Sequence, residues 1–166
     1  MKKYFLVKIK LEKVAEDGKI VKVSEQYLID ALSFSEAEAR IIEEMQPYIS
    51  GEFEVVAISK KKYVEIVSEH LGINMIDAEA NKMLKTNQNQ SVEADKWFDC
   101  KLNFISLDEE KGIEKKTTVL MLVNANSTRS ANDTMVEHMR GSLADWELEK
   151  IAETKILDVF NYKLED

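Results

Sequence analysis

The chain has 166 residues, of which 45% are hydrophobic and 33% charged, with five Gly, one Pro and a net charge of −8. This composition describes an ordinary globular protein and excludes collagen-like, low-complexity and disordered classes. The acidic balance argues against a clamp on duplex nucleic acid, which needs a positive surface facing many phosphates.

A single cysteine, Cys100, excludes an internal disulfide framework and fits a reducing compartment. The first residues alternate polar and apolar instead of forming a continuous apolar signal segment. No apolar run approaches the roughly 18 residues of a membrane span. The expected location is cytoplasmic.

Residues 3–13 alternate, with Phe5, Val7, Ile9 and Leu11 on one side and Lys8, Lys10 and Glu12 on the other, the pattern of a half-buried strand. Asp17-Gly18 predicts a hairpin turn, and residues 19–29 a return strand. Ser33 and Glu36 read as a capping box opening a helix that runs to about Tyr48. Ala37, Ile41, Met45 and Ile49 share one face of it, and Pro47 and Gly51 stop it. A third strand starts at Phe53 and extends, with a break around Lys60–Lys62, to Val67.

After a connector at 68–95, with a short helix near His70–Leu84 and a polar stretch Thr86–Gln90, the order recurs. Strand Trp97–Leu107 precedes a turn at Asp108–Gly112 and a return strand Thr117–Val123. Ser127 then caps a helix whose Ala131, Met135, Val136 and Met139 point inward, and Trp146–Phe160 closes the unit.

The recurrence is visible residue by residue. Segments 3–67 and 96–160 align with a shift of 93 or 94 residues, through identities such as Lys3/Lys96, Phe5/Phe98, Gly18/Gly112, Ser33/Ser127, Ala37/Ala131, Met45/Met139 and Glu54/Glu147. Like-for-like pairs such as Tyr4/Trp97, Leu11/Phe104 and Phe53/Trp146 fill in around them. The expected fold is α+β: two β-β-α-β repeats with antiparallel sheets related by a pseudo-twofold. Repeat one spans 1–67, the connector 68–95 and repeat two 96–166, packed as one body because about 65 residues make a marginal core alone. Sheet edges not blunted by proline or bulges predict a homo-oligomer.

Catalytic spacings are absent: there is no phosphate loop, HExxH, CxxC pair, nucleophile elbow or EF-hand. His138 beside Glu137 suggests a metal or acid/base pair, but adjacent helical positions diverge, which favours a packing histidine. Cys100 falls on an apolar strand face and reads as core. The acidic groups Asp108/Glu109/Glu110 and Glu43/Glu44 read as solvated charge, as does the Lys60–Lys62 run. Neither cofactor nor catalytic residue is assigned.

The most suggestive stretch is Asn124–Asp133, which passes from strand to helix. Helix-start amides favour an anion, and Asn124, Asn126, Ser127, Thr128 and Ser130 add polar groups. Arg129 adds a planar cation suited to phosphate. An ordinary helix cap remains the plainer alternative. Trp97 and Trp146 start matching strands, where aromatics either stack a base or fill the core.

The segments Lys96–Lys101, Gly112–Lys116 and Asp145–Ile151 resemble a domain-of-unknown-function family found in tailed phages, prophages and plasmids of gut anaerobes. That resemblance implies a small, soluble, phage-encoded protein made in the host cytoplasm. The expected function is non-enzymatic binding of a phosphate-bearing, nucleotide-like small molecule, such as a host immune signal sequestered as an anti-defence measure. The alternatives are a single-strand-binding or replication-associated accessory protein, and a protein–protein inhibitor.

Overall fold

A computed structural model describes residues 3–68 and 95–161. The expected connector helix, the polar stretch 86–90 and His70 lie outside them. In chain order the elements are β1 (Lys3–Val14), β2 (Ile20–Ala31), α1 (Phe34–Met45), a 3-10 turn (Gln46–Tyr48), β3 (Phe53–Lys61) and β4 (Tyr63–Val67). They continue with β5 (Lys96–Asp108), β6 (Ile113–Ala125), α2 (Thr128–His138), β7 (Asp145–Glu153) and β8 (Ile156–Phe160). The class is α+β.

Two compact units emerge, one formed by 1–62 with 155–166 and the other by 63–154. The first carries a sheet of order β3-β1-β2-β8, the second a sheet of order β4-β6-β5-β7. The long hairpins β1–β2 and β5–β6 are antiparallel, with Lys3 opposite Ala31 and Lys96 opposite Ala125. Gly18 and Gly112 turn them with φ of 82° and 66°, backbone that favours glycine.

The antiparallel expectation holds for three strands of each sheet and fails for the fourth. β8 joins β2 in parallel, and β4 joins β6 in parallel. The stretch 53–67 is cut in two at Lys62, at the expected break, and 146–160, expected as a single closing strand, is cut in two as well. After Lys62, and again after Thr154, the chain passes from one unit to the other. Alternation of apolar residues marks a strand but says nothing about which partner it pairs with, or in which direction.

In the first unit Phe5, Val7, Ile9 and Leu11 of β1 and Tyr27, Ile29 and Ala31 of β2 face Ala37, Ile41 and Met45 of α1. Each fully buried aliphatic of this kind is worth about 1.5–3 kcal/mol over an exposed one. In the second unit Phe98, Cys100 and Leu102, with Met121, Val123 and Ala125, face Ala131, Met135 and Met139 of α2. Val136, expected inward, is exposed, because it sits one step off the Ala131–Met135–Met139 stripe.

Every edge strand carries one unpaired extra residue: Val56 in β3, Val64 in β4, Glu149 in β7 and Leu157 in β8. Bulges are a device that blunts sheet edges. The edges taken from sequence as unblunted are therefore not so. The bulges also explain an odd spacing. Phe53, Val55 and Ile58 all reach the first core, and Trp146, Leu148 and Ile151 the second, because the extra residue restores the inward face.

Candidate functional site

The two helix entrances are built alike and finished differently. At α1, Ser33 is extended (φ −151°) and its hydroxyl accepts from the Glu36 amide at 3.2 Å. Glu36 Oε2 then accepts from the Leu32 amide at 3.0 Å, one residue before the Ser33 amide that a standard capping box would engage. Glu36 also pairs with Arg40, whose guanidinium donates to the Asp30 carbonyl at 2.8 Å. This entrance holds its own carboxylate.

At α2, Ser127 (φ −156°) accepts from the Ser130 amide at 3.1 Å, and the Ala131 amide donates to the Ser127 carbonyl at 2.9 Å. The residue aligned with Glu36 is Ser130, so the first turn has no acidic group. Ser127, Thr128 and Arg129 are exposed, and Asn126 and Ser130 are half-buried. Arg129 forms no ion pair among the described residues. The first-turn amides, the hydroxyls and this guanidinium are grouped at one helix end, an arrangement that can receive an anion.

The remaining sequence candidates lie elsewhere. Asn124 is 6% exposed, and its amide donates to the Lys96 carbonyl at 2.8 Å, tying β6 to the start of β5. Trp97, its cross-strand partner, is 8% exposed, and its carbonyl accepts from both the amide and the hydroxyl of Thr154, at 2.9 and 2.8 Å. Trp146 pairs with Phe104, seven residues further along β5, and packs on the α2 side of the sheet. At about 3.3 Å per residue that puts the two tryptophans roughly 23 Å apart along the strand. They also sit on opposite faces, since Trp97 neighbours the inward Phe98. They do not form one stacking platform.

Sequence reasoning missed three polar pairings. The buried Tyr63 hydroxyl donates to Asp99 at 2.6 Å, and burial followed by this bond pushes its pKa far up. His138 meets Glu65 of β4 at 2.9 Å, while Glu137 pairs with Arg140. Asn103, 5% exposed, accepts from Thr118 at 2.7 Å and donates at 3.2 Å to Glu147, which also pairs with Lys116 at 3.0 Å. Lys116 first, then Asn103, hold the Glu147 carboxyl below its ordinary range. The only hint of that set in the sequence is that its members alternate with core residues along three strands.

Cys100 is buried as expected, and burial, followed by the Asp99 charge, raises its thiol to about 11, so it is not a thiolate at neutral pH. No group of three or more His, Cys, Asp or Glu gathers to hold a metal among the described residues. No described helix is long and apolar enough to cross a membrane.

No curated protein matches the chain. The model of one family, the domain of unknown function DUF4494, matches residues 3–162, nearly the whole length and every element described above. The chain, which among its described residues folds into two four-stranded sheets each with one capped helix, belongs to the DUF4494 family.

Proposed function

We propose that this is a non-enzymatic binding protein whose second unit captures a phosphate-bearing small molecule at the entrance of α2. One observation carries the reading: α1 fills its first turn with Glu36, whereas α2 has Ser130 at the aligned position and beside it an exposed Arg129 that forms no ion pair among the described residues. A helix start without its own carboxylate favours an external anion, and a guanidinium adds bidentate recognition.

A gene duplication underlies that divergence in this reading. Its support is the pairing of bulges Val56 with Glu149 and Val64 with Leu157 at a shift of 93 residues, and of caps Ser33 with Ser127 at 94. Both copies keep the serine cap, but only the second leaves its first turn without a carboxylate and so open to a ligand. The binding residues are then Asn126, Ser127, Thr128, Arg129 and Ser130. A nucleotide-type immune signal is the first ligand class to screen; the phage anti-defence setting rests on the family resemblance alone.

Thermal shift and calorimetry with pyrophosphate, ATP, cyclic dinucleotides and ADP-ribose test the proposal. Binding should fall at least about tenfold in Arg129→Ala, a loss of roughly 1.4 kcal/mol or more, in line with a charge-assisted contact. Ser130→Glu, which gives α2 the carboxylate α1 already has, should close the site while leaving the protein as stable or more so. Absence of any ligand effect on the folded wild type, or undiminished binding in both variants, rejects the proposal.

Single-strand binding is less well supported, since Trp97 is covered and Trp146 lies on the other face.

A further inference from the structure

The first unit holds a second, chemically opposite surface. Beneath the outer part of the β1–β2 hairpin, where β3 begins and α1 ends, lies an open cleft of about 1010 Å³. Ile42, Ile49, Phe53 and Val55 are among its lining residues, and Ile42 remains 36% exposed on the helix flank. Glu12, Glu38, Glu52 and Glu54 stand around it, against two bases, Lys10 and Lys22.

Two further features point the same way. α1 ends with Glu43 and Glu44 and no base in its last turn, although the negative end of a helix dipole favours a cation there. α2, by contrast, has His138 in its last turn. Half of the acidic rim is particular to the first unit: the positions aligned with Glu12 and Glu38 are Ile105 and Asn132, whereas Glu52 and Glu54 align with Asp145 and Glu147.

We propose that this cleft is a docking groove for a basic segment of a partner protein, anchored by one aliphatic or aromatic side chain. The exposed Ile42, with the half-buried edges of Ile49 and Phe53 that still pack on the first core, supplies a seat for the anchor. Four carboxylates and the end of α1 supply complementary charge for flanking Lys or Arg. A cleft of this size exceeds what a single side chain fills, which suits a peptide better than a small cation. Nucleic acid and anionic membrane share the wrong charge sign. The groove is independent of the anion site proposed at α2.

The test uses the full-length protein and a fluorescein-labelled heptapeptide with a central isoleucine and three lysines on each side. Anisotropy should show saturable binding that weakens with salt. The double variant Glu38→Lys/Glu54→Lys should weaken it at least about tenfold, as expected when complementary charges become repulsive. Replacing the probe's isoleucine by serine should weaken it several-fold.

Glu110→Lys, in the hairpin turn of the second unit, is the control for general attraction to an acidic protein and should change affinity by less than about twofold. No binding, an equal loss in Glu110→Lys, or equal affinity for the serine probe overturns the proposal. Circular dichroism verifies that each variant is folded.

Discussion

Two buried tyrosines satisfy their hydroxyls on carboxylates. Tyr27 donates to Glu25 at 2.6 Å, stacks on Phe160 at 5.7 Å, and lies in the first core; Tyr63 donates to Asp99 at 2.6 Å. Removing one hydroxyl leaves a partly buried acceptor short of a partner. Tyr63→Phe should therefore cost about 1–2 kcal/mol in urea unfolding; a cost near zero would show that water replaces the bond. Glu25 also meets Lys13 at 2.5 Å. Burial by itself would raise the Glu25 pKa, but the hydrogen bonds from Lys13 and Tyr27 outweigh it and the net shift is downward. A carboxyl lowered in the folded state adds stability that is complete above its unfolded value of about 4.5 and is lost as pH falls through the folded value. Glu25→Gln should flatten the acid limb of the stability profile below about pH 5. Wild-type and variant unfolding midpoints that stay parallel down to acid would contradict this. The Tyr63 pairing could not be read from the sequence, because Asp99 lies 36 residues away and only pairing β4 to β6 brings them together, whereas Glu25 and Tyr27 are two residues apart on one strand.

Helices were the more legible elements. A stripe at Ala37, Ile41 and Met45, and another at Ala131, Met135 and Met139, needs only 3.6-residue periodicity to be found, and both serine caps stand where their sequence signals put them. Ser127→Ala should cost about 1 kcal/mol by orphaning the Ser130 amide, measured by chemical denaturation beside Ser33→Ala. Strands were legible as strands. Their bulges were encoded too: the step from two-residue to three-residue spacing at Val55–Ile58 and Leu148–Ile151 is the trace of one extra residue. Deleting Val56 would bring the pairing back into register but turn either Phe53 and Val55 or Ile58 away from the core. The deletion variant should lose stability and aggregate by light scattering; a soluble variant of wild-type stability would show that the bulge serves neither purpose. Of the eight site candidates, five stay together because they are contiguous at one helix start. Trp97 and Trp146 were grouped by strand-end position and Asn124 as the start of the polar stretch; burial covers Trp97 and Asn124, and strand face and register set Trp146 apart from Trp97.

For the whole molecule the decisive fact is the exchange of final strands. β8 completes the sheet that β1 to β3 begin, and β4 completes the sheet of β5 to β7, so each unit owns a strand whose covalent neighbour belongs to the other. Unfolding one unit leaves the other's fourth strand tethered to a disordered chain, which should couple the two transitions. Both tryptophans lie in the second unit. Ile41→Ala, a fully buried truncation in the first unit costing about 2–4 kcal/mol, should therefore shift the tryptophan-detected transition along with the circular dichroism signal. A fluorescence midpoint left in place would mean that the units unfold separately. The amino-acid order by itself determined the strands, the two helices with their caps, the core faces and the α+β class, because these depend on periodicity and on neighbours a few residues away. Only the tertiary structure decided where residues 63–67 and 156–160 pair, which way they run, and which polar side chains meet across strands. Those choices depend on backbone groups far apart in the chain, and no local pattern of side chains carries them.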